Sequence, residues 1–120
     1  MTATTFIDTN VLLYAASNAP DDQAKRAVAR QILAQSEIGF SAQVLQEFYA
    51  AAVAKQRLQM THDEALSVLQ SLAVFPVWPI SRDLVLAAID AKARLQVSYW
   101  DAAILVAAKH ALIAPPRLEM

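Results

Sequence analysis

The sequence contains no cysteine and only one glycine, Gly39, among its 120 residues. Without cysteine, disulfide bonds and thiolate metal sites are excluded, so a metal ion would have to bind oxygen atoms or the imidazoles of His62 or His110. No apolar run reaches the ~18 residues that a membrane-spanning helix needs. No basic segment followed by an apolar one indicates a secretory signal. We therefore expect a cytoplasmic protein without a membrane partner.

A surplus of positive charge is also lacking. The sequence has 10 Lys and Arg residues and 11 Asp and Glu residues, which gives a net charge of −1. Such a chain has no overall basic footprint for nucleic acid, so a nucleic-acid partner would need local positive charge or a bound cation. Hydrophobic residues are abundant, at 57% of the sequence. A chain of this length and composition can bury a sizeable core, and we predict one domain spanning residues 1–120.

The first functional candidate follows the first predicted strand. The β-branched and aromatic residues 4–7 favour an extended strand. Asp8, Thr9 and Asn10 interrupt this run, and the apolar residues 11–15 then resume as a predicted helix. In an open α/β sheet, ligands bind outside the carboxyl ends of the strands. Asp8 is therefore a candidate site residue. The alternative is that Asp8 or Thr9 only caps the helix, and this stretch taken alone favours that alternative, because helix caps are common and sites are few.

The rest of the chain alternates predicted helices with short extended segments. The first long helix is predicted to bury one stripe formed by Ala24, Ala27, Val28, Ile32 and Leu33. Pro76 and Pro79 indicate that the extended segment around them is an edge or irregular strand. Helices are predicted over about residues 22–36, 42–57, 61–72, 82–95 and from 98 onward, and strands over residues 38–41 and 74–80.

Two more carboxylates lie on predominantly apolar helices. Glu47 falls inside or beside the apolar stripe of its predicted helix, where an unpaired charge is unusual. The alternative is that it lies at the boundary of the stripe and reaches water along its own methylene groups. Asp101 falls in the first turn of the last helix, where Ser98 and Asp101 also have the spacing of a capping arrangement. If the fold brought Asp8, Glu47 and Asp101 together, their repulsion would require a proton or a cation. Oxygen ligands suit Mg²⁺ or Mn²⁺, and such a site serves the chemistry of phosphate esters.

Three segments resemble known motifs in the same order. Residues 6–15, 41–48 and 98–104 resemble the three acidic motifs of PIN-domain nucleases, and the closest subgroup is the VapC-like toxins of toxin–antitoxin pairs. The resemblance implies an α/β/α sandwich around a central parallel sheet and a Mg²⁺- or Mn²⁺-dependent endoribonuclease. It also implies an RNA substrate, a cognate antitoxin and a homodimer. The implied metal ligands are Asp8, Glu47 and Asp101, with Thr9, Asn10, Ser41 and Ser98 in supporting positions.

The resemblance weakens at the carboxyl end. Family members continue with a strand and a segment that supplies a fourth acid, and Glu119 lies near the corresponding position. However, residues 117–120 do not match that motif, and Pro115 and Pro116 precede them. We therefore predict a truncated or altered last strand, expect residues 112–120 to form a poorly packed, atypical tail, and name Glu119 only as a possible fourth ligand.

Two other functions remain open from the sequence. The altered tail favours a catalytically weak or inactive PIN-like protein that binds an antitoxin or self-associates. A phosphatase of the haloacid-dehalogenase type is a more distant alternative, because it needs a second aspartate two residues after the first, where this chain has Asn10.

Overall fold

Four short parallel strands lie at the centre of the fold. The computed structural model describes Ala3, residues 5–111 and the backbone of residues 118–119. Within these residues the sheet has the order β3-β2-β1-β4, and each neighbouring pair is parallel. The strands are β1 (Thr5–Ile7), β2 (Ile38–Ser41), β3 (Val77–Trp78) and β4 (Leu118–Glu119).

Six α-helices connect the strands in the described part of the chain, and α1 follows a strand directly. The predicted α/β fold with a central parallel sheet is thus confirmed. The helices are α1 (Thr9–Ala16), α2 (Gln23–Leu33), α3 (Ala42–Val53), α4 (His62–Ser71), α5 (Arg82–Leu95) and α6 (Tyr99–Ala111), and a short 3₁₀ turn, Pro20–Asp22, precedes α2.

Hydroxyl side chains cap the beginnings of α3, α4 and α5. Ser41 accepts a hydrogen bond from the N–H of Val44 at the start of α3. Ser81 accepts one from the N–H of Leu84 at the start of α5. Thr61 and Glu64 form a capping box at the start of α4, with reciprocal bonds between side chain and backbone. Each cap satisfies an N–H that the helix itself leaves without a partner.

The core lies where the strands meet the helices. Phe6, Ile38 and Phe40 from β1 and β2 are fully buried, as are Val44 and Phe48 from α3. The strands inside a parallel sheet are covered on both faces, which explains why every residue of β1 and β2 is buried. The apolar middle of α6 is also buried, with four alanines and one isoleucine among the buried residues: Ala102, Ala103, Ile104, Ala107 and Ala108.

The only glycine is required by space and not by backbone conformation. Gly39 lies in β2, and a Cβ atom there would come within 2.9 Å of Cζ3 of Trp78 and 3.0 Å of Cβ of Ala3. Both distances are shorter than ordinary carbon–carbon contacts. Gly39 therefore lets the indole of Trp78 pack directly on the sheet.

The predicted buried stripe of the first long helix is wrong in its first half, although Ile32 is buried as predicted. In α2, Ala24, Ala27 and Val28 are exposed, and 48% of Val28 remains accessible to solvent. The buried residues of α2 are Ala29, which lies outside the predicted stripe, and Ile32, which belongs to it.

Hydrogen bonds to the end of α1 explain this rotation of α2. Nη1 of Arg26 donates to the carbonyl oxygen of Ser17 at 2.8 Å, and Nε of Arg30 donates to the carbonyl oxygen of Ala15 at 3.2 Å. The last carbonyl groups of a helix need donors, and two arginines on one face of α2 supply them. A sequence pattern that assigns arginines to solvent cannot anticipate this arrangement.

Other boundaries differ by a few residues. The predicted helix over residues 42–57 ends at Val53, and the predicted strand over residues 74–80 is reduced to the two residues of β3, which lie at a sheet edge as predicted. The last strand is correspondingly short, although its two residues do pair with β1. The expected poor packing of residues 112–120 lies outside the described residues except for the backbone of 118–119. No helix within the described ranges is long and apolar enough to cross a membrane.

Candidate active site

Asp8 lies at the point of the sheet where the order in which strands are added changes from one side of β1 to the other. The chain passes from β1 to β2 and β3 on one side and returns to form β4 on the other side of β1. Such a switch point opens a crevice at the carboxyl ends of the strands. Asp8 directly follows β1 and precedes α1, so the strand positions its carboxylate at this crevice.

Asp8 occupies the N-cap position of α1 without the hydrogen bond of a regular cap. Its backbone has the extended conformation of an N-cap residue, but its side chain forms no capping hydrogen bond to α1. Burial raises the pKa of Asp8, and the negative charge of Asp101 raises it further. The backbone N–H groups of Thr9 and Asn10 lower this pKa in part. The charged form of Asp8 is therefore less favoured in the fold than in water.

One cavity gathers the three candidate carboxylates. It has a volume of about 600 Å³. It lies at the end of β1, and its walls come from the beginning of α1, the middle and end of α3 and the first turns of α6. The lining residues are Asp8, Thr9, Asn10, Leu13, Glu47, Ala50, Ala51, Arg57, Asp101 and Ile104.

Glu47 reaches this cavity from the solvent-facing side of α3. Its neighbour Phe48 is fully buried, whereas Glu47 itself is exposed. Glu47 therefore occupies the edge of the apolar stripe, as the alternative interpretation described. The hydroxyl of Thr9 donates a hydrogen bond to Oε1 of Glu47 at 3.1 Å. The Thr9 side chain thus contacts Glu47, while the backbone N–H of Thr9 lowers the pKa of Asp8.

Asp101 reaches the cavity from the first turn of α6. Its backbone N–H donates to Oγ of Ser98 at 3.1 Å, so Ser98 provides the cap of this helix. The carboxylate of Asp101 is exposed and forms no hydrogen bond or ion pair within the described residues. Ser98 therefore fixes the turn, and the side chain of Asp101 remains available to a ligand.

The sequence did not single out Gln43, which ties two parts of the site together. Gln43 is buried in the first turn of α3, and its Nε2 donates to the carbonyl oxygen of Trp100 at 3.3 Å. This bond joins the beginning of α3, which carries Glu47, to the beginning of α6, which carries Asp101. In the sequence, the only sign of this role of Gln43 is its position as a polar residue between two apolar neighbours.

The carboxylates surround the cavity without forming a finished metal site. In the part of the chain that the structure describes, no three His, Asp or Glu side chains are arranged to hold a metal ion. The fourth candidate, Glu119, has its backbone paired in register with Ile7, next to Asp8. Its side chain lies outside the described residues.

A second cavity, of about 470 Å³, offers different chemistry. It lies between the end of β3 and helices α5 and α6, with Trp78 and Leu84 among its walls. Asp83 is its only carboxylate, with His110 as the second titratable side chain. A largely apolar cavity with one acid does not explain a phosphate-ester site, so the cavity at the end of β1 is the better candidate.

Comparison with known families agrees with this fold and motif order. The sequence model of the family described as PIN domain matches residues 5–114. The chain belongs to the PIN-domain family. The resemblance expected from the three acidic motifs is thereby confirmed. No curated protein matches the sequence.

Three solved structures share the fold of this PIN domain. VapC20 from Mycobacterium tuberculosis, described as a sarcin–ricin loop cleaving toxin, has a TM-score of 0.71 at 18% identity, with 89% of this chain and 82% of that chain covered. A toxin–antitoxin complex from Klebsiella pneumoniae has a TM-score of 0.64 at 21% identity, with coverages of 89% and 79%. VapBC2 from Rickettsia felis, bound to a DNA fragment from its promoter, has a TM-score of 0.62 at 18% identity, with coverages of 96% and 98%.

The raised pKa of Asp8 predicts a pH-dependent cost to stability. The native state binds this proton more tightly than the unfolded state, so stability falls as pH rises from the ordinary carboxyl value of about 3.9 through the higher native value. Asp8→Asn should therefore be more stable than the wild type at pH 7 without metal, and the difference should shrink near pH 3.5. Urea unfolding in the presence of a chelator measures both values.

Asp63→Asn is the matched control for this prediction. Asp63 is an exposed aspartate in the first turn of α4, where its charge is favourable to the helix dipole. Its substitution should leave stability unchanged or slightly reduced at pH 7. A loss of about 1 kcal/mol in Asp8→Asn, as expected for removal of a helix cap, would contradict the electrostatic interpretation.

Proposed function

We propose that this PIN-like domain, residues 1–120, is a metal-dependent endoribonuclease that acts in the cytoplasm as the toxin of a toxin–antitoxin pair. The observation that carries the proposal is the convergence of Asp8, Glu47 and Asp101 on one cavity at the switch point of the sheet. The three acids come from segments far apart in sequence. Membership of the PIN-domain family supports the same conclusion.

The chemistry of the donor set fits a hard divalent cation. The candidate ligands carry only oxygen donors, as Mg²⁺ and Mn²⁺ prefer. Burial and the nearby charge of Asp101 both disfavour the ionised form of Asp8, and a bound cation would favour it. Asp8, Glu47 and Asp101 would hold the ion. When bound, it would polarise a phosphoryl oxygen and activate a water molecule for attack on the phosphodiester.

The surrounding residues position these acids. Thr9 restrains Glu47 through its hydroxyl, and Ser98 fixes the turn that presents Asp101. Asn10 is exposed at the cavity and provides a polar amide next to Asp8. Ser41 acts at a distance by capping α3, which carries Glu47. Restraint of this kind reduces the reorganisation that ligand binding requires.

Glu119 remains a candidate for a fourth acid. Its backbone pairs with Ile7, and β4 lies directly beside β1 at the switch point. Parallel pairing puts the carboxyl end of β4 at the same edge of the sheet as Asp8. This register supports the proposal that the altered tail still brings a carboxylate near the site.

The structural neighbours support partners of two kinds. VapC20 is described as a toxin that cleaves the sarcin–ricin loop, which supports RNA as the substrate class. Two further neighbours are toxin–antitoxin complexes, which supports a cognate antitoxin. We therefore propose that this chain cleaves RNA and that an antitoxin protein binds it and restrains its activity.

A catalytically weak PIN-like protein is the second candidate. It is favoured by the lack of a ready-made metal group among the described side chains. In that case binding to an antitoxin, or to a second copy of the chain, would be the remaining function. The two candidates differ in whether the protein cleaves RNA when a divalent cation is present.

A paired assay of metal binding and RNA cleavage separates these candidates. Calorimetric titration of the wild type with Mn²⁺ should give one binding event, and Mn²⁺ should be required for cleavage of single-stranded RNA. Asp8→Asn and Asp101→Asn should each reduce cleavage by at least about 100-fold, because the ion loses a charged ligand.

Asp63→Asn controls for the loss of one negative charge in the first turn of a helix, and its cleavage rate should equal that of the wild type. If Mn²⁺ binds nowhere and cleavage is unaffected by all three substitutions, the nuclease proposal fails and the binding function stands.

Homodimerisation is the third part of the proposal. Several large apolar side chains remain exposed, including Leu86 and Ile89 on one face of α5, each 53% accessible, and Trp100, 63% accessible. Exposed apolar groups of this kind are typical of interaction surfaces. Light scattering at micromolar concentration should therefore give a mass about twice the 13.1 kDa of the chain. A mass of one chain, unchanged by concentration, would contradict a dimer.

A further inference from the structure

The charges around the carboxylate cavity do not by themselves favour an RNA strand. Three acids and one arginine line the cavity within the part of the chain that the structure describes, which gives these residues a charge of −3 + 1 = −2 when all are ionised. A divalent cation would bring the sum to −2 + 2 = 0. An RNA strand adds a negative charge at every phosphate, including those next to the bond that is cut. A group that binds these neighbouring phosphates must come from the protein.

Among the described residues that line this cavity, Arg57 is the only basic one. It lies in the turn that follows α3, which is also the helix that carries Glu47. The backbone N–H of Arg57 donates to the carbonyl oxygen of Ala54 at 3.1 Å. The turn then folds back on α3, because the N–H of Met60 donates to the carbonyl oxygen of Ala52 at 2.8 Å.

Further bonds fix this turn from within. Gln59 adopts a left-handed backbone conformation with φ of 53°, and its N–H also donates to the carbonyl oxygen of Ala54. The side chain of Gln59 donates to the carbonyl oxygen of Lys55 at 2.7 Å. The backbone that carries Arg57 is therefore constrained on both sides, although its side chain extends into solvent.

The guanidinium group of Arg57 has its donors available. Within the described residues it forms no hydrogen bond or ion pair, and the single ion pair there joins Arg94 to Asp90. Arg26 and Arg30, in contrast, both donate to backbone carbonyls at the end of α1. An exposed guanidinium beside an acidic cavity can bind a phosphate through two parallel hydrogen bonds.

We propose that Arg57 binds a phosphate of the RNA strand next to the scissile phosphodiester and so sets the register of the strand across the three acids. This inference rests on the proposed nuclease function, because it assigns a substrate contact at the same cavity. Arg57 contributes to binding of the strand and does not act on the reacting atoms. Its removal should therefore weaken RNA binding without weakening metal binding.

The experiment compares Arg57→Gln with Lys55→Gln. Lys55 lies two residues away in the same turn, is equally exposed and does not line the cavity. Both substitutions remove one positive charge, so only their position relative to the cavity differs. Fluorescence anisotropy with a labelled single-stranded RNA, in Ca²⁺ and over a range of salt concentrations, measures affinity. Calorimetry with Mn²⁺ measures metal binding in the same variants.

Arg57→Gln should reduce RNA affinity by about tenfold, as expected for the loss of a charge-assisted hydrogen bond to phosphate. The slope of affinity against salt should fall by about one. Lys55→Gln should stay within about twofold of the wild type, and Mn²⁺ affinity should be equal in all three proteins. In cleavage assays KM should rise more than kcat falls.

Other outcomes separate failure of this inference from failure of the nuclease proposal. If the wild type cleaves RNA and the two variants bind RNA equally well, Arg57 does not bind the strand. If Arg57→Gln instead raises Mn²⁺ affinity and leaves RNA affinity unchanged, Arg57 is a counter-ion of the acids and the inference is overturned. If no protein cleaves RNA but Arg57→Gln still binds it about tenfold more weakly, the phosphate contact stands and the nuclease proposal fails.

Discussion

The partly buried carboxylate of Asp8, at the end of the first strand, is the constraint on which the rest of the site depends. Asp8 is half-buried, forms no capping bond and faces the charge of Asp101, so its ionised form is unfavourable in the fold. A protein that needed only a helix cap at this position would gain stability from a side chain that bonds to the helix. Retaining an unfavourable charge is understandable when a cation is meant to neutralise it.

The fold delivers this arrangement with few residues. Two-, three- and four-residue strands suffice because helices begin immediately after β1 and β2, so strand ends and helix starts coincide at one edge of the sheet. Caps at Ser41 and Ser98 fix the helices that carry Glu47 and Asp101. The bond from Gln43 to the carbonyl of Trp100 sets the two helices relative to each other. Positioning is thus achieved mainly by backbone and capping hydrogen bonds.

Much of this could be predicted from sequence, because it depends on local pattern. The strand before Asp8, the capping box of α4 and the start of α5 all follow from residues within a few positions of each other. The rotation of α2 could not be predicted, since it depends on carbonyl groups at the end of α1 that only the tertiary structure brings near Arg26 and Arg30. Arg57 was missed for the same reason. Its significance comes from a cavity and not from a motif.

The central claim is that Asp8, Glu47 and Asp101 bind one divalent cation. The most direct test is an anomalous difference map from a crystal of the wild-type protein soaked in Mn²⁺, because this map locates the ion without reference to activity. The account predicts a single strong peak in the cavity at the end of β1, within the roughly 2.0–2.6 Å coordination distance of oxygen from all three carboxylates. A map without a peak there, or with manganese bound only at other acids, would contradict it.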